Sequence, residues 1–412
     1  MIEYTSHTLS NGLEVLVHED HSTPMAVLNV LYKVGSKHEQ PNKTGLAHLF
    51  EHLMFGGSVN IPDYDKALQK VGGENNAFTN ADITNYYIQL PAHNIETALW
   101  LESDRMLSLS FDAKVLEVQK NVVVEEFKQR YLNQPYGEVW LKLMPLAYKI
   151  HPYQWPTIGK DMLHVESVDL QDIRDFFYKH YLPNNAVVVV AGNIKTKEIL
   201  QLVKKWFEDI PEGNIQTHNL PQEPIQTEAR TETIMADVPL DAIFKAYHMP
   251  GRNSTEYYVS DLMADILGRG KSSRLQNILI KKEKLFNNVS AYMTGNFDSG
   301  LLVVSGKTNK GVDIEMANHR LDQLVQEISL NDINTNELEK VKNQAEATLR
   351  FGETELLNRA MGLAIGASLG KPNLVNEEAN YIQSVQLSDI KKLAKSRLVE
   401  SNSNTLFYRS SN

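Results

Sequence analysis

The sequence predicts an α+β fold of two homologous domains, each with a mostly antiparallel β-sheet covered by helices. Apolar runs rich in β-branched and aromatic residues predict strands, among them LEVLVHE, MAVLNVLYKVG, NYYIQLP and AVVVVAG. Amphipathic stretches between these runs predict helices that cover one face of each sheet. An internal repeat and a polar segment near the middle of the chain indicate that this arrangement occurs twice.

The repeat pairs residues 167–184, SVDLQDIRDFFYKHYLPN, with residues 384–401, SVQLSDIKKLAKSRLVES, at a constant offset of 217. Each copy opens as a helix and is followed by an extended run, AVVVVAG in the first and NTLFY in the second. The alternative is that two amphipathic helices share a generic opening. A true repeat predicts a second domain with the plan of the first.

Residues 211–230, PEGNIQTHNLPQEPIQTEAR, are polar, contain prolines and lack periodicity, so they predict a linker. The chain of 412 residues then divides into a domain at 1–210 and a domain at 231–412. Both have the length of an ordinary domain.

Composition limits the possible chemistry. The chain has no cysteine, which excludes disulfides, thiolate nucleophiles and cysteine-based zinc sites, so any metal must be held by histidine and carboxylate. A formal net charge of −10 disfavours a nucleic-acid partner. No signal peptide is visible, and the run AVVVVA is too short to span a membrane. We expect a cytoplasmic protein, or a periplasmic one if a signal peptide has been removed.

The segment at 45–57, GLAHLFEHLMFGG, predicts a helix with an unusual second face. Apolar residues recur at the spacing of a core-facing stripe: Leu46, Leu49, Phe50 and Leu53. His48, Glu51 and His52 recur at i, i+3, i+4 on another face, so their side chains converge. The order H-x-x-E-H is the inverzincin motif. A core histidine bonded to a neighbour, or an exposed helix face, are the alternatives to a metal site.

A catalytic zinc needs three protein ligands and an open fourth position. Residues 116–130, LEVQKNVVVEEFKQR, predict a helix on which Val122, Val123 and Glu126 share a face, with Gln119 two turns before Glu126. Glu125 is turned about 100° away and is expected to face solvent. Glu126 is therefore the candidate third ligand.

The sequence resembles the M16 family of zinc metallopeptidases, which includes pitrilysin, insulinase and the mitochondrial processing peptidase. The resemblance rests on GLAHLFEHLMFGG, GGENNAFTNADITNYY, VVVEEF, HPYQWPTIG, AGNI and ILGRGKSSRL, and covers nearly the whole chain. It implies a short two-domain bacterial-type subunit with the LuxS/MPP-like metallohydrolase fold, half of a clamshell chamber. It also implies that His48, His52 and Glu126 bind one zinc ion and that Glu51 is the general base.

The resemblance also assigns roles to Gln119 and to the segment at 72–80. Family members commonly carry a glutamate where this chain has Gln119, whose amide can accept a hydrogen bond but supplies no charge. The segment GGENNAFTN at 72–80 resembles an edge strand that captures an extended peptide, with residues beside the scissile bond: Asn76, Ala77, Phe78 and Thr79. Sequence alone is equally compatible with an ordinary turn and strand.

The second domain is expected to lack a metal site. The offset of 217 carries His48, Glu51 and His52 to Asp265, Gly268 and Arg269, and DILGRGKSSRL contains no histidine.

Relatives also use an arginine and a tyrosine from the second domain near zinc, where this chain has Lys281 and Asn287, with Tyr292 five residues out of register. We therefore expect a heterodimer in which a related zinc-less subunit supplies that Arg/Tyr pair. A homodimer is the second choice.

Together these observations predict a zinc-dependent endopeptidase that hydrolyses unfolded or extended peptides inside a two-subunit chamber. The alternative is a non-catalytic M16-fold scaffold or a peptide-binding subunit. Ligand type favours zinc only weakly over other divalent metals.

Overall fold

The computed structural model describes residues 1–215, 220–330 and 333–411, with the side chains of residues 329 and 330 excepted. The chain forms two compact units. Unit 1 comprises Met1–Phe127, Pro156–Leu220 and Arg350–Glu377, and unit 2 comprises Lys128–Trp155, Pro221–Leu349 and Glu378–Asn412. The chain passes from unit 1 to unit 2 after Leu220, within the segment predicted as a linker. Residues 216–219 of that segment are outside the described residues.

The described residues form strands β1 to β11 and helices α1 to α14. The strands are Thr5–Thr8, Glu14–Glu19, Met25–Tyr32, Glu74–Thr79, Thr84–Pro91, Ala186–Gly192, Arg230–Ala236, Ala242–Met249, Phe286–Met293, Gly300–Thr308 and Ser403–Ser410. The helices are Leu46–Leu53, Tyr64–Gln69, Ile95–Leu107, Ala113–Phe127, Val139–Ala147, Met162–Glu166, Leu170–His180, Thr196–Phe207, Glu256–Gly268, Ile314–Leu330, Thr335–Gly352, Leu356–Ser368, Leu374–Ser384 and Leu387–Arg397.

Each unit is built on one sheet, and the two sheets share a plan. The order is β1-β2-β6-β3-β5-β4 in unit 1 and β7-β11-β8-β10-β9 in unit 2. The pairs β2–β6 and β7–β11 are parallel, and the other neighbours are antiparallel. The predicted fold class, two related units with mostly antiparallel sheets covered by helices, is confirmed.

Both copies of the sequence repeat form the same elements, a helix followed by a strand. Helix α7 at Leu170–His180 and helix α14 at Leu387–Arg397 have bounds that differ by the same 217 residues as the sequence repeat. Both begin with a capping box, Asp169 with Asp172 in α7 and Gln386 with Asp389 in α14. Each is followed by a strand, β6 or β11, that has a neighbour on both sides in its sheet.

The two units exchange helices along the chain. Helix α12, late in the sequence, packs on β6 and β3 of unit 1, and helix α5, early in the sequence, packs on β11, β8 and β7 of unit 2. Every residue of β6 is buried, so this strand is covered on both faces, and the expectation of helices on one face only is wrong there. A strand buried on both faces can be continuously apolar, as AVVVVAG is.

The constant offset does not extend through the helix that follows β8. Helix α9 spans Glu256–Gly268, whereas the offset carries α1, at Leu46–Leu53, to residues 263–270. The pairing of His48 with Asp265 is therefore approximate. Within the described part of the chain, no helix combines the length and the apolar character that a membrane span needs.

Candidate metal centre

Helix α1 starts at a backbone position that is fixed from two sides. Its N-cap, Gly45, has φ of +90°, and a Cβ there would lie 2.6 Å from the carbonyl oxygen of Ile158. The N–H groups of Gly45 and Ala47 donate to the buried carboxylate of Glu39 at 3.0 and 2.7 Å. A carboxylate at this end also complements the helix dipole. The start of α1 is thereby held in place.

The predicted apolar stripe of α1 is buried, and it comprises Leu46, Leu49, Phe50 and Leu53 together with Ala47. His48 and His52 lie on the other face, with side chains 14% and 23% exposed. Their ring centroids are 4.9 Å apart and the planes are nearly perpendicular, at 84°. Both rings are thus close together and reachable from solvent.

Glu126 reaches the two rings from α4, which packs against α1. Its Oε2 lies 3.7 Å from Nε2 of His48 and 3.7 Å from Nε2 of His52. Glu125 is exposed, as expected. Val122, which is predicted to share a face with Val123 and Glu126, is 44% exposed, so that face of α4 is only partly buried. The buried residues of that helix are Leu116, Val123, Val124 and Phe127.

The three side chains fit a zinc ion. Donor atoms of His48, His52 and Glu126 lie within 4.8 Å of one another. Two imidazole nitrogens and one carboxylate oxygen are the donor set of known catalytic zinc sites. Ligand atoms about 2.0–2.2 Å from one tetrahedral ion are roughly 3.4 Å apart, close to the distances observed here. Among the described residues, this is the one such group of His, Asp and Glu side chains.

Gln119, two helical turns before Glu126 on α4, contacts the far side of His52. Its Oε1 lies 3.3 Å from Nδ1 of His52. When Nδ1–H donates to this oxygen, the lone pair of Nε2 is directed toward the cluster.

Glu51 lies beside the end of β4. Burial raises the pKa of Glu51 above its ordinary value, and the charge of Glu126 acts in the same direction. The neighbouring Thr79 and the charge of His52 act to lower its pKa. Glu51 is therefore next to both the histidine pair and the predicted substrate strand.

Among the described strands, β4 lies at the edge of its sheet and pairs only with β5. Ala77 is opposite Tyr86, and Thr79 is opposite Thr84. The N–H of Ala77 donates to the side chain of Asn76 at 2.8 Å, and the N–H of Thr79 faces Glu51. Since alternate residues of a strand direct their N–H groups to the same side, the free edge of β4 faces α1.

Lys281, Asn287 and Tyr292, the residues considered in place of the arginine and tyrosine of relatives, all lie in unit 2. The ammonium of Lys281 donates to the carbonyl of Lys271 at 2.6 Å and to Asn277 at 2.8 Å. Asn287 and Tyr292 are on β9, where Asn287 is exposed and Tyr292 is 40% exposed. Helix α9 has no histidine.

Sequence reasoning missed two supports of the site. Glu39 precedes α1 by a loop, and its role depends on a chain reversal that no local pattern predicts. Thr79 is predicted to lie beside the substrate, and no sequence pattern indicates that it also lies next to Glu51. The HPYQWPTIG motif did carry a signal, because Gly159, with φ of +101°, packs on the backbone of Thr44 and Gly45.

Comparison with known proteins gives two family matches. A family model described as Insulinase (Peptidase family M16) matches residues 14–161, and one described as Peptidase M16 inactive domain matches residues 167–345. Among the described residues of this second match, no group of His, Asp and Glu side chains is placed to hold a metal ion.

Individual proteins similar to this chain are also named as proteases. The zinc protease PqqE of Helicobacter pylori is 30% identical, over 99% of this chain and 93% of that protein. The crystal structure of a protease from Helicobacter pylori has a TM-score of 0.92 at 28% identity, covering 99% of this chain and 100% of the other. The periplasmic protease PqqL from Escherichia coli shares the fold, with a TM-score of 0.82 at 19% identity, over 99% of this chain but 48% of that one.

Proposed function

Because the chain belongs to the insulinase (M16) family of peptidases, we propose that it is a zinc-dependent endopeptidase that hydrolyses unfolded peptides. His48, His52 and Glu126 are its metal ligands, and Glu51 is its general base. The observation that carries this proposal is the convergence of Nε2, Nε2 and Oε2 from two helices, with Glu51 on the same face of α1.

The bound ion supplies Lewis acidity, lowering the pKa of a coordinated water from 15.7 to about 7 and polarising the scissile carbonyl. Glu51 takes the proton of the attacking water and delivers it to the leaving amine. Thr79, at the end of β4, lies next to Glu51 and limits the space in which that carboxylate moves during the transfer. Gln119 keeps the proton of His52 on Nδ1.

The substrate is proposed to add as a strand to the free edge of β4. Main-chain groups at an exposed edge bind any extended peptide, and this favours unfolded substrates over folded ones. Asn76, Ala77, Phe78 and Thr79 lie on that strand, and its end is next to Glu51. The proximity of this edge to the base supports cleavage of a peptide held there.

The complete enzyme is proposed to be a two-subunit chamber. The chain matches 48% of the length of PqqL, so one copy corresponds to about half of that protein. The family resemblance matches Lys281 and Asn287 of this chain to the positions of the arginine and tyrosine. We propose that a related zinc-less subunit provides this pair, with a homodimer as the second choice.

The decisive variant is Glu51→Gln, which keeps the shape of the side chain and removes the base. It should retain about one zinc per chain while kcat falls by roughly 10²–10⁴-fold. Glu125→Gln, the same change at an exposed glutamate on α4, should leave both unchanged. Full activity in Glu51→Gln would refute the assigned role. Zinc and peptide binding without cleavage in the native protein, alone or with its partner, would favour the peptide-binding alternative.

The partner is tested by comparing the isolated chain with the chain co-purified alongside candidate zinc-less relatives. Peptide cleavage should rise strongly in the mixed assembly and should depend on the partner's arginine and tyrosine. A single chain that cleaves at full rate would contradict the heterodimer.

A further inference from the structure

Beneath α1, four polar atoms, from β3, β5, α3 and the C-cap residue of α7, are buried without a hydrogen-bond partner among the described residues. They are Nη1 of Arg105 and the hydroxyls of Tyr32, Tyr86 and Tyr181. All four residues are at most 2% exposed. Buried polar groups in native proteins are nearly always satisfied, by protein or by ordered water, so a cluster of four calls for a ligand.

The other two nitrogens of the Arg105 guanidinium group each donate a hydrogen bond to a protein partner. Its Nε and Nη2 donate to Glu102 at 2.8 and 2.6 Å, and the hydroxyl of Tyr64 donates to the same carboxylate at 2.7 Å. The guanidinium carbon lies 4.3 Å from the ring centroid of Tyr86. Glu102 neutralises the arginine, so the remaining N–H groups of Nη1 need an acceptor but not an anion.

The tyrosines surround one small region. The ring of Tyr32 lies 4.7 Å from that of Tyr181 and 6.0 Å from that of Tyr86. Burial raises the pKa of the Tyr181 hydroxyl, and the neighbouring side chains of Tyr86 and Thr84 act to lower it, so these three side chains lie close together. One N–H donor and several groups that both donate and accept match a water molecule, which typically makes about three hydrogen bonds in such a place.

The tyrosines of this cluster also lie next to α1, which carries Glu51, and next to β4, the predicted substrate strand. The ring of Phe50, the neighbour of Glu51 in α1, stacks on Tyr181 at 4.8 Å with an interplanar angle of 25°. Tyr86 is opposite Ala77 in the β4–β5 pair. A change in how the tyrosine hydroxyls are held would therefore shift α1 relative to β4.

We propose that an internal water bound by Arg105, Tyr86 and Tyr181 fixes the spacing between α1 and β4 and so positions Glu51 against the peptide. The positioning role rests on the proposed peptidase function, whereas the water site does not. Burial raises the pKa of Tyr86 well above its ordinary 10.0, so the hydroxyl keeps its proton. The network orients groups and is not a path for protons.

The water site is tested in metal-free protein with Tyr86→Phe, Tyr181→Phe and the double variant. Because both hydroxyls bind one water, the shift of the urea midpoint in the double variant should be clearly smaller than the sum of the single shifts. Tyr408→Phe, which removes an equally buried hydroxyl in unit 2, is the control and should add to Tyr86→Phe. A crystal structure should show the water in the native protein. Additive shifts for Tyr86 and Tyr181, or a dry site in the crystal, would overturn the inference.

The positioning role is tested by steady-state kinetics of the zinc-loaded variants. Each single variant should lose about tenfold in kcat, since small displacements of a reacting group are costly, while KM and zinc content stay unchanged. An unchanged kcat in variants that show the midpoint coupling would refute positioning. If the native protein cleaves no peptide in any assembly, the proposed function and the positioning role both fail, and the midpoints still decide the water site.

Discussion

The amide oxygen of Gln119 lies 3.3 Å from Nδ1 of His52, on the side of the ring that faces away from Glu126. Removing this acceptor in Gln119→Leu should weaken zinc binding by roughly 10–100-fold, because the ring loses the bond that fixes its tautomer and orientation. Gln119→Glu restores an acceptor with charge and should bind zinc at least as tightly as the native protein. Competition against a chelator of known affinity measures both, and equal affinity in Gln119→Leu would count against the contact.

Glu126 and its neighbour Glu125 offer a matched comparison on one helix. Glu126→Gln removes the only anionic donor of the cluster, so zinc content should fall well below the about one ion per chain expected of the native protein. Glu125→Gln makes the same chemical change at an exposed position and should keep a full complement. Metal analysis after dialysis distinguishes them, and equal zinc in the two variants would exclude Glu126 as a ligand.

The free edge of β4 predicts opposite effects of proline at adjacent positions. Ala77 directs its N–H away from β5, so Ala77→Pro should leave the melting temperature nearly unchanged and raise KM sharply. Phe78 directs its N–H into the β4–β5 ladder, so Phe78→Pro should lower the melting temperature by several degrees. Peptide kinetics and thermal melting test the pair. An unchanged KM in Ala77→Pro would contradict substrate binding along this strand.

Stability should depend on pH through Asp265 in unit 2. Burial raises the pKa of Asp265 to about 6 from its ordinary 3.8, and the charge of Asp261 acts in the same direction. The stability due to protonated Asp265 is fully present below pH 3.8 and is lost as pH rises through about 6.

Asp265→Asn should therefore stabilise the protein by about 2–3 kcal/mol at pH 8 and make no difference near pH 4. Asp209→Asn, a change at an exposed aspartate, is the control for both pH values. Urea unfolding across this pH range is the measurement. A gain in Asp265→Asn that is the same at pH 4 and pH 8 would show that ionisation of Asp265 is not its source.

Local periodicity predicted much of the candidate site. The buried stripe of α1 and the convergence of His48 and His52 follow from positions three and four residues apart, which any α-helix brings together. Val122 shows where such reasoning fails. An apolar residue on a helix is buried only if the core lies on its side, and the sequence does not say which face of α4 meets α1.

Contacts between distant parts of the chain could not be predicted. Helix α12 packs on β6 of unit 1, although its position after the predicted linker assigns it to the second domain. A sequence repeat predicts two similar domains but does not predict which of them buries a given helix. Arg105, which lies beneath α1, likewise acts through tertiary contacts that leave no periodic signal.

The most direct measurement is a crystal structure of the purified protein with anomalous diffraction recorded on both sides of the zinc absorption edge. We expect one anomalous peak, bound by Nε2 of His48, Nε2 of His52 and a carboxylate oxygen of Glu126, with Glu51 beside it and not coordinated. A peak at another position, or full zinc loading with Glu126 turned away from the two histidines, would contradict the account.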